Sequence, residues 1–336
     1  MNDFLKTMFI DQAKPALNRH SGTGSSGESG GSGDEETVDM LQQLVDQKTN
    51  LNYLFYYYPG DDLSFFNGLD TSGAKNFVNT FNGSTNLKNL PRFDYSNCES
   101  LNSAFILCTS IKNISLFLPK VIDCSSAFRQ CNSLETVVLN GLKENSVKFG
   151  SAFYGCSSLK TIDTDCVSTA ANGLNSAFQG CKLLESVPLI QPYVASNYGQ
   201  QMYCTFYDCE SLKEIPAYNC VNISFPFTFT NCKSLENIWF TNIWHDLQVG
   251  SGTTWGHLLT LDSLLHLCQE CVNMSSSRTL TVGSANLEKL TNIYVKLTDE
   301  PNNNLHSKLP MIQCESTDEG AMTITEYMAQ KGWVLA

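Results

Sequence analysis

Apolar and polar residues follow one pattern that returns along the chain every 23 to 28 residues. The pattern centres on a phenylalanine, which a small residue precedes. Three, six and nine residues later come a cysteine, a leucine or isoleucine, and a further aliphatic residue, with polar residues between them. A period of this size predicts a solenoid, in which each coil buries one face against the next. Seven phenylalanines carry the pattern: Phe81, Phe105, Phe128, Phe153, Phe178, Phe206 and Phe229.

Each position of the repeat predicts a structural role. The four apolar positions predict inward-facing columns, and the segment from the leucine to the aliphatic residue predicts a short strand of a parallel sheet. The small residue before the phenylalanine allows neighbouring coils to approach closely. Two residues after the phenylalanine, Gly, Asp or Asn predicts a left-handed turn, because these residues adopt positive φ most readily. Leu107 and Gln130 interrupt this column, so the turn is predicted only as a tendency.

The cysteine column has six members among the fourteen cysteines of the chain. Coils stacked at about 4.8 Å would permit disulfides between neighbours, and metal binding is a further alternative. We favour buried thiols, because reduced cysteine behaves as a small hydrophobic residue. The N-terminus shows no signal peptide and no segment is apolar enough to span a membrane, which predicts folding in a reducing cytoplasm. The column contains Cys108, Cys131, Cys156, Cys181, Cys209 and Cys232.

The charged residues add two predictions, one about the surface of the solenoid and one about its partners. The residue after the leucine column alternates in sign from the second unit onward, which predicts an exposed column of attracting neighbours. The net charge of -12 argues against nucleic acid as a partner, because phosphate backbones require a basic surface. The alternating column contains Lys88, Lys112, Glu135, Lys160, Glu185, Lys213 and Glu236.

The repeated segment SAFxxCxSLxxI resembles the BspA-like leucine-rich repeats of bacterial surface proteins and of bacteriophage tail proteins. The segment GLDTSGAKNFVNTFNGSTNLKNLP (68–91) is similar to the unit containing LDTS in phage and gut-bacterial members. The C-terminal segments LDSLLHLCQEC, SRTLTVGSANLEKL and KGWVLA are similar to the helix–strand end of the family. The resemblance covers roughly residues 50–336. It implies an α/β leucine-rich-repeat solenoid with short parallel strands that acts as a scaffold for a binding surface.

These observations divide the chain into five parts. We expect an attachment helix at residues 1–18, with Phe4, Leu5 and Met8 on its apolar side, and a flexible Gly/Ser-rich linker at 19–36. A disordered or artificially added leader is the alternative for this region. Residues 37–67 predict a helix and an N-terminal cap, 68–245 the repeats, and 246–336 an irregular repeat with a helix–strand C-terminal cap.

The sequence offers little support for catalysis. The GESGG motif at Gly27 lies in the linker, without the strand and helix that a nucleophile elbow requires. His266, Cys268 and Cys271 have the residue types of metal ligands, but core packing on a helix explains the two cysteines better. Asp163 and Asp165 resemble solvated loop carboxylates more than a glycosidase pair. We therefore expect no enzyme activity, no metal and no cofactor.

Aromatic residues on the late coils are the candidate ligand contacts. Aromatic rings beside neutral polar groups suit sugars and protein hot spots, whereas filling of the core or cap is the alternative for each ring. The candidates are Tyr193, Tyr198, Tyr203, Trp239, Trp244, His245 and Trp255.

Two functions fit this reading. The first is a bacteriophage tail-associated receptor-binding protein that recognises a bacterial surface glycan or protein, assembled in the host cytoplasm into the virion. Such a protein would contact other tail or baseplate proteins through its N-terminus and would form a homotrimer if that helix trimerises. The alternative is a bacterial leucine-rich-repeat adhesin at the cell surface or a protein-interaction module. A tail glycan hydrolase ranks third.

Overall fold

The computed structural model of the chain describes residue 42 and residues 50–170, 173–192, 200–250, 259–298 and 307–336. The described coils stack through parallel bridges, from the bridge between Asn50 and Asn76 onward, and through parallel strands. A 3-10 helix at Ser64–Phe66 lies within the first of these coils. The strands of the coils are β1 (Asn113–Phe117), β2 (Thr136–Asn140), β3 (Ser146–Val147), β4 (Thr161–Thr164), β5 (Ser168–Thr169), β6 (Gln200–Gln201), β7 (Glu214–Ile215), β8 (Ile223–Ser224), β9 (Asn237–Ile238) and β10 (Leu247–Gln248).

A C-terminal region of helices and strands follows the coils. Its elements are α1 (Leu261–Glu270), β11 (Arg278–Thr281), α2 (Ser284–Leu290), β12 (Tyr294–Leu297), β13 (Met311–Cys314), β14 (Met322–Thr323), α3 (Ile324–Gln330) and β15 (Trp333–Leu335). The predicted solenoid with short parallel strands and a helix–strand C-terminal region is thus confirmed. The attachment helix predicted at residues 1–18, with Phe4, Leu5 and Met8, lies outside the described residues, as does the linker. Among the described residues, no helix has the length and apolar character to cross a membrane.

A continuous stack of buried phenylalanine rings forms the centre of the solenoid. Neighbouring centroids lie 5.2–5.8 Å apart, and the ring planes differ by at most 15°. The stack runs through all seven predicted phenylalanines and gains an eighth member, Phe55, whose ring lies 5.6 Å from that of Phe81. Each ring is therefore held between the rings of the neighbouring coils, and the core is continuous along the solenoid.

The residues flanking each phenylalanine connect neighbouring coils. The left-handed turn two residues after the phenylalanine is present in all seven units, and even Leu107 and Gln130 have φ values of 60° and 59°. A second left-handed position, not predicted from the sequence, lies two residues before each phenylalanine. Ser103, for example, has a φ of 58°. In the segment between these two left-handed positions, every second residue donates its N–H group to a carbonyl of the next coil. The bond from Phe105 to the Ala127 carbonyl, at 2.8 Å, is an example. This hydrogen-bond ladder replaces a regular strand on the turn side.

The parallel strands lie on a different side of each coil from the turns that flank the phenylalanine. In the sheet formed by β1, β2 and β4, the aliphatic column is in register, with Ile114 opposite Val137 and Val137 opposite Ile162. A short parallel strand was predicted from the leucine position to the aliphatic position, and such a strand is present. However, β1 begins at Asn113, two residues after the leucine position of its unit, Ile111. The leucine position still belongs to the turn, since the Ile111 N–H bonds to the Cys108 carbonyl.

The cysteine column consists of free, buried thiols. Each Sγ donates to the backbone carbonyl of the phenylalanine in the preceding coil, at 3.0–3.2 Å. In the first unit, the Ser84 hydroxyl makes the same bond to the Phe55 carbonyl at 2.9 Å. The preferred interpretation of the column as buried thiols is confirmed, and each thiol has a hydrogen-bonding role as well as a packing role.

The alternating charged column forms ion pairs on the surface. Glu135 pairs with Lys160 and Glu185 with Lys213, each at 2.7 Å. Lys88 extends the column backwards by pairing with Asp61 at 3.2 Å. These side chains are substantially exposed, so each pair contributes only about 0–1 kcal/mol to stability.

The end of the chain is fastened to the C-terminus of α1. Lys331 Nζ donates to the carbonyls of Cys268 at 2.9 Å and Gln269 at 2.8 Å, which have no partners within the helix. Burial lowers the pKa of this lysine to about 8. The indole N–H of Trp333 donates to the Val272 carbonyl at 2.8 Å. Two residues of the terminal KGW segment therefore hold β15 against the helix.

The glycine between them permits β15 to pair with β11. Gly332 has a φ of +78°, and a Cβ at this position would lie 2.6 Å from the Met274 carbonyl oxygen. Its own carbonyl accepts the Arg278 N–H at 3.0 Å, at the start of β11. β11 lies between β10 and β15 in a parallel sheet. The terminal segment thus fixes the backbone position of Arg278.

Candidate binding cleft on the late coils

A cleft of about 500 Å³ lies where the last regular coils meet β11. We call it the late-coil cleft. Its volume falls within the roughly 300–1,000 Å³ range of small-molecule sites. The side chains that give it chemical character are those of Phe227, His245, Asp246, Gln248, Arg278 and Thr279.

The apolar side of the late-coil cleft is an exposed aromatic residue. Phe227 occupies the position two residues before Phe229, with a φ of 54°. Because the Phe229 ring fills the core, the Phe227 ring faces outward and is 61% exposed. The ring of Tyr203, 44% exposed, packs against its edge at a centroid distance of 6.1 Å and an angle of 90°. Two large rings are thus presented to solvent at the edge of the cleft.

The basic group of the cleft is the guanidinium of Arg278. Its Nε is buried and has no hydrogen-bond partner. Within the described ranges, Arg278 also forms no ion pair. A buried donor without a partner costs about 1–3 kcal/mol, and more when the group is charged. Because Nε is closed to solvent, the donors available to an acceptor in the cleft are the terminal Nη groups of the guanidinium.

Neighbouring polar groups are arranged around this arginine. The Asp246 carboxylate accepts the backbone N–H of Thr279 at 2.8 Å, which ties the β10 side of the cleft to β11. Burial lowers the pKa of His245, the positive charge of Arg278 lowers it further, and Asp246 opposes both effects. His245 is therefore a neutral imidazole near pH 7, with one donor and one acceptor nitrogen.

Only part of the predicted aromatic group meets in this cleft. His245 lines it, and Tyr203 contacts its Phe227 edge. Trp239 lies elsewhere: its indole N–H donates to Glu214 at 2.8 Å, and its ring packs edge-on against His266. Trp244 is half-buried and does not line the cleft. The predicted contacts at Tyr193, Tyr198 and Trp255 lie outside the described residues and stay predictions.

Sequence reasoning missed the two strongest features of the cleft. Phe227 stands at a position that is serine in four earlier units, Ser103, Ser126, Ser151 and Ser176. A large apolar residue in a serine column is a signal that column analysis would have detected. Arg278 is one of four arginines in the chain, but no sequence pattern indicated that it faces a cleft. Its placement depends on the pairing of β11 with the distant β15.

A second cleft, of about 430 Å³, lies on the strand side of the early coils. We call it the strand-side cleft. Three aromatic residues line it, of which Phe93 and Tyr95 are buried and Phe117 is 62% exposed. The ring of Phe117 closely approaches the backbone at Gly141. The exposed Arg92 and Asp94 supply charges of both signs. This cleft lacks the exposed pair of contacting rings found on the late coils.

The side chains considered for catalysis or metal binding have structural roles. Cys268 and Cys271 are fully buried, and His266 Nε2 lies 2.9 Å from the Phe240 carbonyl. The Asp165 carboxylate accepts the backbone N–H groups of Gly141 and Leu142 at 2.9 and 2.8 Å. Within the part of the chain that the structure describes, no cluster of three or more His, Cys, Asp or Glu side chains forms a potential metal site.

Comparison with known proteins identifies the repeat. The model of the BspA-type leucine-rich repeat region matches six copies, over residues 52–185 and 174–250. No curated protein matches the chain. Leucine-rich repeats of this kind suggest a protein-interaction or adhesin module. The match spans more than half of the sequence and coincides with the stacked phenylalanines, so the chain belongs to the BspA-type leucine-rich-repeat proteins.

Proposed function

We propose that this protein is a non-enzymatic, tail-associated receptor-binding protein of a bacteriophage that recognises a bacterial surface glycan or protein. The observation that carries the binding proposal is the contacting pair Tyr203 and Phe227, exposed beside the late-coil cleft. Large exposed rings are costly to keep in water, and contiguous exposed apolar surface is typical of binding sites. The cleft beside them supplies neutral and charged hydrogen-bonding groups that orient a ligand.

The architecture supports a binding role for the scaffold itself. A core of stacked rings, buried thiols and aliphatic columns leaves only the exposed positions of each coil free to vary. Solenoids bind through such surfaces without any change in the core. Cys268 and Cys271 are fully buried and His266 Nε2 lies 2.9 Å from the Phe240 carbonyl, so these three side chains have structural roles.

The phage assignment depends on sequence resemblance. Residues 68–91 are similar to the LDTS-containing unit of phage and gut-bacterial members, and residues 1–36 read as a tethered attachment helix. Under this proposal the N-terminus docks on a tail or baseplate protein, and the solenoid reaches the host. The alternative, a bacterial adhesin or interaction module, is favoured by the general character of the BspA-type repeat.

A cell-binding experiment tests the proposal. Fluorescently labelled full-length protein is incubated with a panel of intact Gram-positive gut bacteria and with their purified wall glycans. We expect saturable binding to particular strains, which Phe227→Ala or Tyr203→Ala weakens at least tenfold. Phe117→Ala is the matched control, because this ring has nearly the same exposed fraction on the other side of the solenoid.

Two results would count against the proposal. Binding to no strain would remove the host-recognition role and favour a structural or intracellular protein partner. Loss of binding in Phe117→Ala alone would move the site to the strand-side cleft. For the phage assignment in particular, purified tail or baseplate proteins should retain the full-length chain but not a variant lacking residues 1–18.

A further inference from the structure

We propose that the late-coil cleft binds an acidic sugar, with its carboxylate or phosphate held by Arg278 and its ring placed against Phe227. This inference rests on the proposed binding function and names the chemical class of its ligand. Both side chains line the same cleft of about 500 Å³. An aromatic ring next to one guanidinium group is complementary to a sugar ring that carries one carboxylate or phosphate group.

The guanidinium of Arg278 provides the reason to expect an anion. In this acidic protein, Lys75, Lys88, Lys160 and Lys213 all have carboxylate partners on the surface. Arg278 has no such partner among the described residues, and its buried Nε has no acceptor. A planar guanidinium presents paired donors that fit the two oxygens of a carboxylate or phosphate. An anionic ligand in the cleft would accept from the terminal Nη groups of the guanidinium, since the buried Nε is closed to solvent.

The rest of the cleft favours a sugar as the carrier of that anion. The Phe227 ring offers an apolar surface for the C–H groups of a sugar, and Tyr203 braces its edge at 6.1 Å. The exposed Gln248 amide and the Thr279 hydroxyl lie in the same lining and are neutral partners for sugar hydroxyls. His245, whose pKa is lowered, adds a neutral donor or acceptor.

Asp246 limits which anions fit. One of its carboxylate oxygens is engaged by the Thr279 N–H, so the group stays beside Arg278 as a fixed negative charge. Together with the net charge of -12, this carboxylate disfavours a ligand of high charge density such as a nucleic acid. The cleft is therefore suited to one anionic group per binding site, on an otherwise neutral saccharide.

Calorimetric titration of the full-length protein tests this inference with three matched probes. The first is an oligosaccharide of uronic acid, the second a glycerol-phosphate oligomer carrying sugar substituents, and the third a neutral oligosaccharide. We expect at least one acidic probe to bind tenfold or more tightly than the neutral one, and the two acidic probes distinguish carboxylate from phosphate. Higher salt should weaken binding of the acidic probe but not of the neutral one.

Variants assign the effect to the cleft. Arg278→Gln keeps the backbone pairing of β11 and should bring acidic and neutral probes to equal affinity. Arg278→Lys keeps the charge but loses the paired donors, so it should retain part of the preference and serves if the glutamine variant fails to fold. Arg92→Gln, an exposed arginine in the strand-side cleft, is the matched control and should change nothing.

The possible failures are distinct. Equal affinity of wild type for acidic and neutral probes, or unchanged affinity in Arg278→Gln, overturns the acidic-sugar inference. If no probe binds while intact cells still bind in a manner that depends on Phe227, the acidic-sugar inference fails and receptor binding stands. If the protein binds neither the probes nor any cell, both proposals fail.

Discussion

Alkaline pH should unfold this protein abruptly, because its core contains a column of protonated thiols. Burial raises the pKa of Cys131 to about 12 and raises the pKa of Cys108, Cys156, Cys181 and Cys209 well above the ordinary value of 9.0. The pKa of Cys232 is raised for the same reason. In the unfolded chain each thiol would lose its proton near pH 9.

The sign of the effect follows from proton binding. Above about pH 9 the folded protein binds more protons than the unfolded chain, so stability falls as the pH rises toward the folded pKa values. At about pH 10 each thiol contributes a loss of about 1.4 kcal/mol, and the six together about 8 kcal/mol. That loss is comparable to the entire stability of a typical domain, about 5–15 kcal/mol. The free energy contributed by the thiols is fully present below about pH 8.

The buried Lys331 works in the opposite direction but is outweighed. Its pKa is lowered to about 8, so between about pH 8 and 10 the unfolded chain binds more protons at this residue. The lysine therefore adds stability as the pH rises, by about 2 kcal/mol between about pH 8 and 10 and by about 3 kcal/mol over its whole titration. The thiol column dominates because its six members act together.

Urea unfolding followed by near-ultraviolet circular dichroism, in a reductant without thiols, measures this dependence. We expect similar midpoints at about pH 7 and 8 and a steep decline between about pH 9 and 10. Cys131→Ala, although less stable at neutral pH, should lose about 1 kcal/mol less than wild type between about pH 9 and 10. A midpoint that stays constant to about pH 10 would show that the thiols are not buried as described.

Three further changes test the packing and backbone features. Phe153→Ala empties the core between two stacked rings and should cost about 3–5 kcal/mol in urea unfolding, against less than about 0.5 kcal/mol for the exposed Phe117→Ala; equal costs would contradict the stack. Gly332→Ala should destabilise the protein by well over the roughly 1 kcal/mol expected for Gly320→Ala. Both glycines have positive φ, but of the two only Gly332 lacks space for a Cβ. Similar melting temperatures of the two variants would refute this reasoning. Asp165→Asn should cost about 1 kcal/mol through a lost backbone hydrogen bond, whereas the exposed Asp163→Asn should leave the urea midpoint unchanged.

The regular part of the fold is predictable because each position of the repeat recurs in seven units, so its preferred residue type can be compared among them. A single serine before an alanine says little, but a phenylalanine, cysteine and leucine at constant spacing in successive units define inward columns. The same logic predicted the left-handed turn after the phenylalanine. It underestimated that turn at Leu107 and Gln130, because the coil-to-coil hydrogen bonds impose the backbone conformation even on residues that disfavour it. Tertiary structure overrides local preference there.

The irregular part was harder to predict because its contacts are long-range. The sequence places KGWVLA at the end of the chain but does not indicate that Gly332 accepts a hydrogen bond from Arg278. The antiparallel sheet of β12, β13 and β14 was likewise not predicted, since those segments occur only once. Without repetition, no column reveals which face of such a segment is buried.

The same contrast supports the proposed location of the binding surface. Buried positions of the coil repeat their residues because each must stack on its counterpart, so a change there costs stability and offers no contact to a ligand. Exposed positions carry no such requirement. Phe227 replaces serine in one of these exposed columns and thereby adds an apolar surface that stability does not demand. Arg278 forms no ion pair with a described carboxylate, although Asp246 lines the same cleft. Departures from the repeat at exposed positions, such as Phe227, are therefore the places where we propose that a ligand, rather than the next coil, contacts the side chain.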